Sequence, residues 1–163
     1  MSEPVSALAG ASFEGLIHIT ETPPRGMVTV RGDFASKTLA KAVKTATDLP
    51  MPSKTGVVID ADRDVFWMSP DELLVLLPYA DATGAVQAMT AALTGEHALV
   101  VDVSDARASF TLDGEGRLLR ETLAKLSPAD MRGSALPVGT MRRTRLAQVP
   151  AAFYFAEESR AEV

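Results

Sequence analysis

Two segments in the second half of the chain constrain its fold more than any others. Val100–Gly116 holds an alternating strand, a turn, a second alternating strand and a glycine-containing turn into an amphipathic helix. Leu136–Pro150 then enters a final pair of strands through a Pro-x-Gly sequence. Alternation with period two indicates strands, whereas apolar residues at helical spacing indicate an amphipathic helix. The two segments predict a packing and pairing unit, because none of their residues is arranged as a catalytic set.

The remaining sequence alternates between short strands and helices. The predicted strands are Leu16–Thr20, Met27–Arg31, Gly56–Asp60, Val65–Met68, Leu73–Leu77, His97–Val103, Arg107–Leu112, Thr140–Leu146 and Ala151–Phe155. One helix follows the N-cap Ser36 and presents Leu39, Val43 and Ala46 on one face. The other two predicted helices are Asp81–Leu93 and Glu115–Leu126, the last with Asp113 as its N-cap.

This order of elements predicts the fold class. It follows β-α-β-β-α-β and then β-α-β-β, after a polar lead-in that reaches about Gly15. We expect an α+β protein of two split β-α-β units packed together, with mixed or antiparallel sheets and helices on one face. The predicted division is an N-terminal α+β unit, residues 1–95, and a C-terminal α+β unit, residues 96–163, packed as one compact body.

Composition excludes several classes of function. The chain has 163 residues, no cysteine and a net charge of −5, from 21 acidic and 16 basic residues. Without cysteine it has no disulfide, thiolate metal site or cysteine nucleophile. The acidic balance argues against a sequence-independent nucleic-acid partner, and no apolar run is long enough to span a membrane. Glu3 stands where a signal peptide needs Lys or Arg, so we expect a cytoplasmic protein.

A cluster of carboxylates suggests a calcium loop, but the pattern is incomplete. Asp60, Asp62 and Asp64 occupy the first, third and fifth positions, and Asp71 the twelfth. The sixth position needs Gly for a sharp turn, and here it is the β-branched Val65. The strand pattern on both sides favours a solvated hairpin turn, so we predict no metal site.

Two further functional patterns, a dinucleotide-binding loop and a nucleophile with a histidine base, are also incomplete. The sequence from Gly114 to Leu119 lies between a strand and a helix, as a dinucleotide loop would. Its last position is Leu119 instead of Gly, and Leu119 belongs to the apolar stripe of the helix. The two histidines, His18 and His97, lie in predicted strands, and no G-x-S-x-G elbow occurs. We therefore predict no catalytic and no cofactor-binding residue.

One dense basic patch lies near the end of the chain, at Arg142, Arg143 and Arg145. Strand alternation puts Arg142 on one face and Arg143 with Arg145 on the other. A strand charged on both faces is not buried in its own core. It is either an edge protected by charge or a surface for a protein partner, since Arg is enriched at interfaces.

Several segments resemble the sarcosine oxidase gamma subunit family. The resemblance covers roughly residues 57–155 and is carried by Phe66–Leu74, Val101–Ala108, Ser127–Met131, Leu136–Gly139 and Thr144–Val149. The first segment is shared with the wider group of aminomethyltransferase-like folate-binding folds. The D-V-S-D-x-R-A and T-R-L-A-x-V elements together are more specific to the gamma family.

This resemblance implies a non-catalytic subunit of a heterotetrameric flavoenzyme. Its complex demethylates sarcosine oxidatively to glycine and hydrogen peroxide and passes the one-carbon unit to tetrahydrofolate. The alpha, beta and delta subunits are the implied partners, and FAD, FMN, NAD and tetrahydrofolate are expected on them. No cofactor is expected on this chain, although it is expected to have the aminomethyltransferase-like fold.

The resemblance also implies where a partner binds. Relatives continue with a further apolar strand and helix, whereas this chain ends at Val163. The strand Ala151–Phe155 is then an edge without its cover. Together with the basic strand it gives the candidate interface: Arg142, Arg143, Arg145, Phe153 and Phe155. A stand-alone folate-binding or one-carbon-transfer protein is the alternative, and a homo-oligomeric scaffold is a third possibility.

Overall fold

The computed structural model describes residues 4–163, and the described chain divides into two compact units. The first, which we call the terminal unit, combines the residues up to Pro24 with Ala108–Val163. The second, the central unit, is Arg25–Arg107. Glu3, on which the sequence-based argument about a signal peptide rests, lies outside the described residues.

The structure contains eleven strands and three α-helices within residues 4–163. The strands are β1 (Ser12–Glu14), β2 (His18–Glu21), β3 (Gly26–Arg31), β4 (Val57–Asp60), β5 (Arg63–Ser69), β6 (Glu72–Leu77), β7 (Leu99–Asp102), β8 (Phe110–Asp113), β9 (Arg142–Leu146), β10 (Val149–Glu157) and β11 (Arg160–Glu162). The helices are α1 (Lys37–Thr47), α2 (Ala82–Ala92) and α3 (Gly116–Leu126). Short 3-10 turns occur at Tyr79–Asp81 and Ser104–Ala106.

The central unit is a five-stranded antiparallel sheet in the order β4-β5-β6-β3-β7. Its middle strand β6 is buried along its whole length, which explains the unbroken apolar run Leu73–Leu77. The helices α1 and α2 contribute to one core with one face of this sheet. The fully buried members of that core include Val28, Val30, Leu39, Val43, Val65, Leu73, Val75, Leu77 and Met89.

Helix α1 begins and ends where local chemistry dictates. The hydroxyl oxygen of Ser36 accepts a hydrogen bond from the Leu39 amide at 3.2 Å, which confirms the predicted N-cap. Leu39 and Val43 are buried, as their spacing predicts. The helix ends at Asp48, which has a left-handed φ of 61° and donates its amide to the Lys44 carbonyl.

The terminal unit is a six-stranded sheet in the order β1-β2-β8-β11-β10-β9. Strand β2 pairs with β8, with Ile19 opposite Leu112, so residues from the two ends of the chain share one sheet. The division predicted at residue 95 therefore differs from the observed units, because that position lies inside the central unit. Sequence order cannot reveal which strands pair across such a distance.

A carboxylate near the start of the terminal unit fixes the residues that precede it. Glu21 is buried and accepts hydrogen bonds from the Ser6 hydroxyl at 2.7 Å and from the Leu8 and Gly10 amides at 2.9 Å. Burial opposes ionisation, but these hydrogen bonds together hold the pKa of Glu21 below its ordinary value. The polar lead-in is thus tied to β2 both by the Glu21 side chain and by the pairing of its own strand β1 with β2.

Helix α3 covers one face of the terminal sheet and departs from prediction in two details. Its N-cap is Glu115, whose carboxylate accepts from the amides of Arg117 and Leu118, and not Asp113. Leu119 and Leu123 are buried as predicted, but Leu126 is 47% exposed. The predicted inward residue Ala108 is likewise exposed and precedes β8, while Leu112 in β8 is buried.

The observed class is α+β with antiparallel pairing throughout both sheets, which confirms the predicted fold class. Each unit combines a sheet with one or two helices that bury an apolar stripe against it. That the two units pack as one body stays a prediction.

Candidate partner interface

The three candidate arginines lie on β9, the outermost strand of the terminal sheet. Arg143 and Arg145 are exposed, whereas Arg142, Thr144 and Leu146 on the other face are half-buried. The predicted alternation of the three arginines is therefore present. An edge strand that carries exposed charge can be an edge protected by charge or a surface for a partner. To judge either interpretation, the direction of its backbone N–H and C=O groups is needed.

The hairpin register shows which way the backbone of β9 points. The strands β9 and β10 are joined by a two-residue turn, with Leu146 opposite Val149 and Arg145 opposite Pro150. In such a hairpin the closing pair is hydrogen-bonded and the next pair is not, which suits Pro150 because it has no N–H. The N–H and C=O of Arg145 consequently point away from β10, towards the outer edge of the sheet.

At the turn between β9 and β10, the outward-facing backbone already has a hydrogen-bond partner. The Ala147 amide donates a hydrogen bond of 2.7 Å to the carbonyl of Leu126, the last residue of α3. Ala147 has a φ of 52°, in the left-handed region that a two-residue turn requires. The end of α3 is thus fixed beside the hairpin, and the outward-facing edge begins at Arg145.

Arg142 faces the protein and not the edge. Its Nη2 lies 3.4 Å from the Ala135 carbonyl, and its buried Nε has no hydrogen-bond partner among residues 4–163. This arginine therefore holds the loop before β9 and contributes little to an outer surface.

Phe153 and Phe155 are core residues, which corrects their place in the candidate interface. Both are fully buried and belong to a core that includes Leu119, Leu123 and Leu136. Their side chains lie on the face of the sheet that shares a core with α3. In addition, β10 is not an edge, since β9 pairs on one side of it and the unpredicted β11 on the other. The candidate surface is then limited to the exposed side of β9.

The surroundings of β9 carry an excess of positive charge. Residues 131–156 contain four arginines and no acidic residue, although the whole chain has a net charge of −5. Arg132 is paired with Asp130, so the excess comes from the three arginines of β9. Lys125, next to Leu126 at the end of α3, adds a further exposed cation near the hairpin. Such local asymmetry favours an anionic partner.

Arg120 is a residue that the sequence reasoning did not single out. Its Nη1 donates to the carbonyls of Met131 and Leu136 at 2.9 and 3.0 Å, and its Nη2 lies 3.1 Å from a Glu158 carboxylate oxygen. The side chain is 13% exposed. It fixes the loop that follows α3, and nothing in the local sequence distinguishes it from a solvated helix arginine.

A groove beside α3 is a candidate ligand site in the terminal unit. It has a volume of about 810 Å³ and is lined by residues of α3 and of the segment 129–133. Its charged groups are engaged with one another or with backbone: Arg117 with Glu121, Arg120 with Glu158, Arg132 with Asp130, and Glu115 with the helix start. This arrangement explains the structure of the groove without a ligand.

The acidic cluster of the central unit is divided between separate partners. Asp64 contacts Arg25 at 2.5 Å, and burial raises the pKa of Asp64 more than this arginine lowers it. Asp71 is bound by the Ser69 hydroxyl at 2.5 Å and by Arg31 at 2.8 Å, and these contacts lower its pKa. Among residues 4–163, no group of three or more carboxylates and histidines is placed to hold a metal ion.

The glycine-containing turn before α3 serves close packing. A Cβ on Gly116 would lie 2.7 Å from the Glu158 carbonyl oxygen, and one on Gly114 would lie 2.8 Å from the Ile17 side chain. Leu119, at the third position of the dinucleotide pattern, is fully buried. The glycines therefore permit a close approach of chain segments within the unit, and we assign them no phosphate.

The two histidines lie in different settings. His18 is the first residue of β2, with its Nε2 3.2 Å from the Thr20 hydroxyl and 3.4 Å from Glu14. His97 is exposed and precedes β7 instead of lying within it. Neither histidine forms a nucleophile–base pair with these neighbours.

In the described part of the chain, every helix is too short or too polar to cross a membrane.

Comparison with known proteins places these features in a family. The model of the sarcosine oxidase gamma subunit family matches residues 31–161. The sarcosine oxidase subunit gamma of Arthrobacter sp. is 32% identical in an alignment of 149 residues that covers 88% of this chain and 70% of that protein.

Solved structures show the same fold. A chain of heterotetrameric sarcosine oxidase from Corynebacterium sp. U-96 superposes with a TM-score of 0.76 at 24% identity, over 93% of this chain and 77% of that one. The glycine cleavage system aminomethyltransferase T of Bartonella henselae gives a TM-score of 0.56 at 12% identity, over 87% of this chain and 40% of that one. With the predicted aminomethyltransferase-like fold thus confirmed, the chain belongs to the sarcosine oxidase gamma subunit family.

Proposed function

We propose that this chain is a non-catalytic gamma-type subunit of a heterotetrameric sarcosine oxidase. The observation that carries the proposal is its 32% identity, over 88% of its length, to a protein named as the gamma subunit of that enzyme. The neighbouring solved structure is a heterotetrameric sarcosine oxidase, which supports assembly with other subunits.

The chemistry of the complex is assigned to its other members. The alpha, beta and delta subunits are the expected partners, and FAD, FMN, NAD and tetrahydrofolate are expected on them. There they would convert sarcosine to glycine and transfer the one-carbon unit to tetrahydrofolate. The mutual engagement of the charged groups in the α3 groove supports a structural role for this chain. We expect this chain to be located in the cytoplasm.

The exposed side of β9 is the surface that we assign to the partner subunits. Arg143 and Arg145 present positive charge at the edge of the terminal sheet. Arginine is enriched at protein interfaces because its planar guanidinium both stacks and forms several hydrogen bonds. Phe153 and Phe155 support this surface from the core, and no direct contact with a partner is assigned to them.

A stand-alone folate-binding or one-carbon-transfer protein is the second candidate. The likeness to an aminomethyltransferase favours it, although this chain spans only 40% of that protein. Calorimetric titration of the purified chain with tetrahydrofolate separates the two functions. Measurable heat together with a rise in melting temperature would support the folate-binding candidate.

Affinity purification of the tagged chain from its native cells tests the subunit role. We expect a yellow complex, much heavier than 17.3 kDa, that consumes oxygen when sarcosine is added. Flavin absorbance, subunit masses and oxygen uptake are measured on the same fraction. A colourless chain that elutes alone would contradict the subunit role.

A further inference from the structure

The edge beside Arg145 combines an open backbone with positive charge. Its N–H and C=O point outward because Pro150 occupies the opposite, non-hydrogen-bonded position. Its guanidinium is exposed on the same strand. An exposed strand edge can accept a further strand, and main-chain hydrogen bonds then supply part of the affinity.

An apolar spot borders the turn end of this edge. Val149, opposite Leu146 in the hairpin, is 66% exposed, and Leu126 is 47% exposed. The hydrogen bond from Ala147 to the Leu126 carbonyl holds the end of α3 against the same turn. Two exposed aliphatic side chains beside several cations resemble the apolar centre and charged rim of a protein interface.

From these observations we propose that the outer edge of β9 binds an extended acidic segment of a partner subunit by strand addition. The main chain of that segment pairs with Arg145, its carboxylates face the cations around β9, and an apolar side chain of the segment covers Leu126 and Val149. The occupant follows from charge complementarity, since β9 exposes Arg143 and Arg145 and residues 131–156 contain no acidic residue. This inference rests on the proposed subunit role and names the partner chemistry of that surface.

The variant Arg145→Pro separates strand addition from simple charge attraction. The outward N–H of Arg145 makes no bond to β10, so proline removes the donor to the partner and leaves the β9–β10 ladder intact. Arg145→Gln removes the charge and keeps that N–H. Thr144→Pro is the contrasting variant, because Thr144 lies at a hydrogen-bonded pair with Ala151, where proline breaks the hairpin itself.

The assay is recovery of the intact complex from native cells that produce tagged variants. We expect Arg145→Pro and Arg145→Glu to reduce the recovered partner subunits by about tenfold or more, and Arg145→Gln by less. Lys41→Glu, which reverses an exposed charge on α1, is the matched control and should leave recovery unchanged. Far-UV circular dichroism of each purified variant checks that it is folded.

Hydrogen exchange on the wild-type complex gives a second readout that needs no substitution. The Arg145 amide should exchange more slowly in the complex than in the isolated chain, because it then donates to the added strand. Salt of about 0.5 M should weaken recovery of the wild type, since the charges around β9 are exposed.

Each result has a defined meaning. A wild-type complex that forms equally well with Arg145→Pro and Arg145→Glu, with no protection at Arg145, would overturn the strand-addition proposal and leave the subunit role standing. Failure of the wild type to recover any partner would overturn both. Binding of a labelled RNA oligonucleotide that Arg145→Glu abolishes, while assembly is unchanged, would assign the edge to nucleic acid and also overturn the proposal.

Discussion

The guanidinium carbon of Arg120 lies 4.0 Å from the centroid of the Phe155 ring. A cation above an aromatic face is attracted by the negative charge of the π system, most strongly where water is excluded. The same guanidinium donates to two loop carbonyls and pairs with Glu158. One helix residue therefore joins the sheet, the loop after α3 and the turn before β11.

Replacement of Arg120 by Met should destabilise the isolated chain by about 2–3 kcal/mol. Methionine fills much of the same volume but leaves the carbonyls of Met131 and Leu136 without their donor. Arg120→Lys should cost less, because it keeps the charge but not the planar fork. Urea unfolding measures the change, and Arg117→Met, at a side chain 80% exposed, is the matched control. An equal loss in both Met variants would show that Arg120 has no special role.

Phe153→Ala should destabilise the chain by about 3–5 kcal/mol, because the ring is fully buried in the core. Val149→Ala, at a side chain 66% exposed, should change the free energy of unfolding by less than about 0.5 kcal/mol. The measurement is thermal or urea unfolding of each isolated variant. If Phe153→Ala retained wild-type stability and only weakened assembly, Phe153 would be an interface residue after all.

Glu21→Gln should loosen the residues before β2 at neutral pH. The pKa of Glu21 is lowered in the folded chain, so its contribution to stability is present above the ordinary value of 4.5 and is lost as pH falls through the lower folded value. The stability difference between wild type and variant should therefore be large at about pH 7 and shrink at about pH 3. Urea midpoints at the two pH values measure it. A difference that does not depend on pH would mean that Glu21 is not ionised in the folded chain.

Asp64→Asn and Asp64→Ala should have different effects. Burial raises the pKa of Asp64 despite Arg25, so the ionised form is disfavoured in the folded chain, and stability falls as pH rises from the ordinary to the folded value. Asparagine resembles the protonated acid and should keep wild-type stability or exceed it at about pH 7. Alanine removes the acceptor from Arg25 and should cost about 1–2 kcal/mol. Unfolding midpoints that fall equally in both variants would show that the carboxylate charge of Asp64 stabilises the folded chain at the start of β5.

Features with local causes could be predicted from the sequence. Ser36 caps α1, and the apolar spacing of Leu39 and Val43 predicts the buried face of that helix, because both features depend on residues within a few positions of each other. The basic strand β9 was also recognisable, since alternating arginines cannot be buried on both faces. The absence of a catalytic pattern and the family resemblance came from the sequence as well.

Features that depend on distant contacts could not be predicted. Asp113 is a better N-cap by residue type than Glu115, but its carboxylate accepts from Arg160 on β11 at 2.7 Å. Phe153 and Phe155 seemed to mark an edge only because β11, three residues long, has no periodic signal. In β7 the alternation is clear, yet it does not reveal that Val100 faces the core while Leu99 is 53% exposed.

The strand pairing of the terminal unit also determines the order in which the two sheets can form during translation. All the strands of the central unit lie within Arg25–Arg107, so that unit can complete its sheet while synthesis is still in progress. Strand β2 emerges before them but must wait for β8, and β8 and β10 are joined only through β11 at Arg160–Glu162. Until β8 is made, Ile19 of β2 lacks its cross-strand partner Leu112. The nascent chain therefore carries β1 and β2 without β8 while the central unit is completed, and a chain that stops before Arg160 would have a finished central sheet but no strand to link β8 with β10.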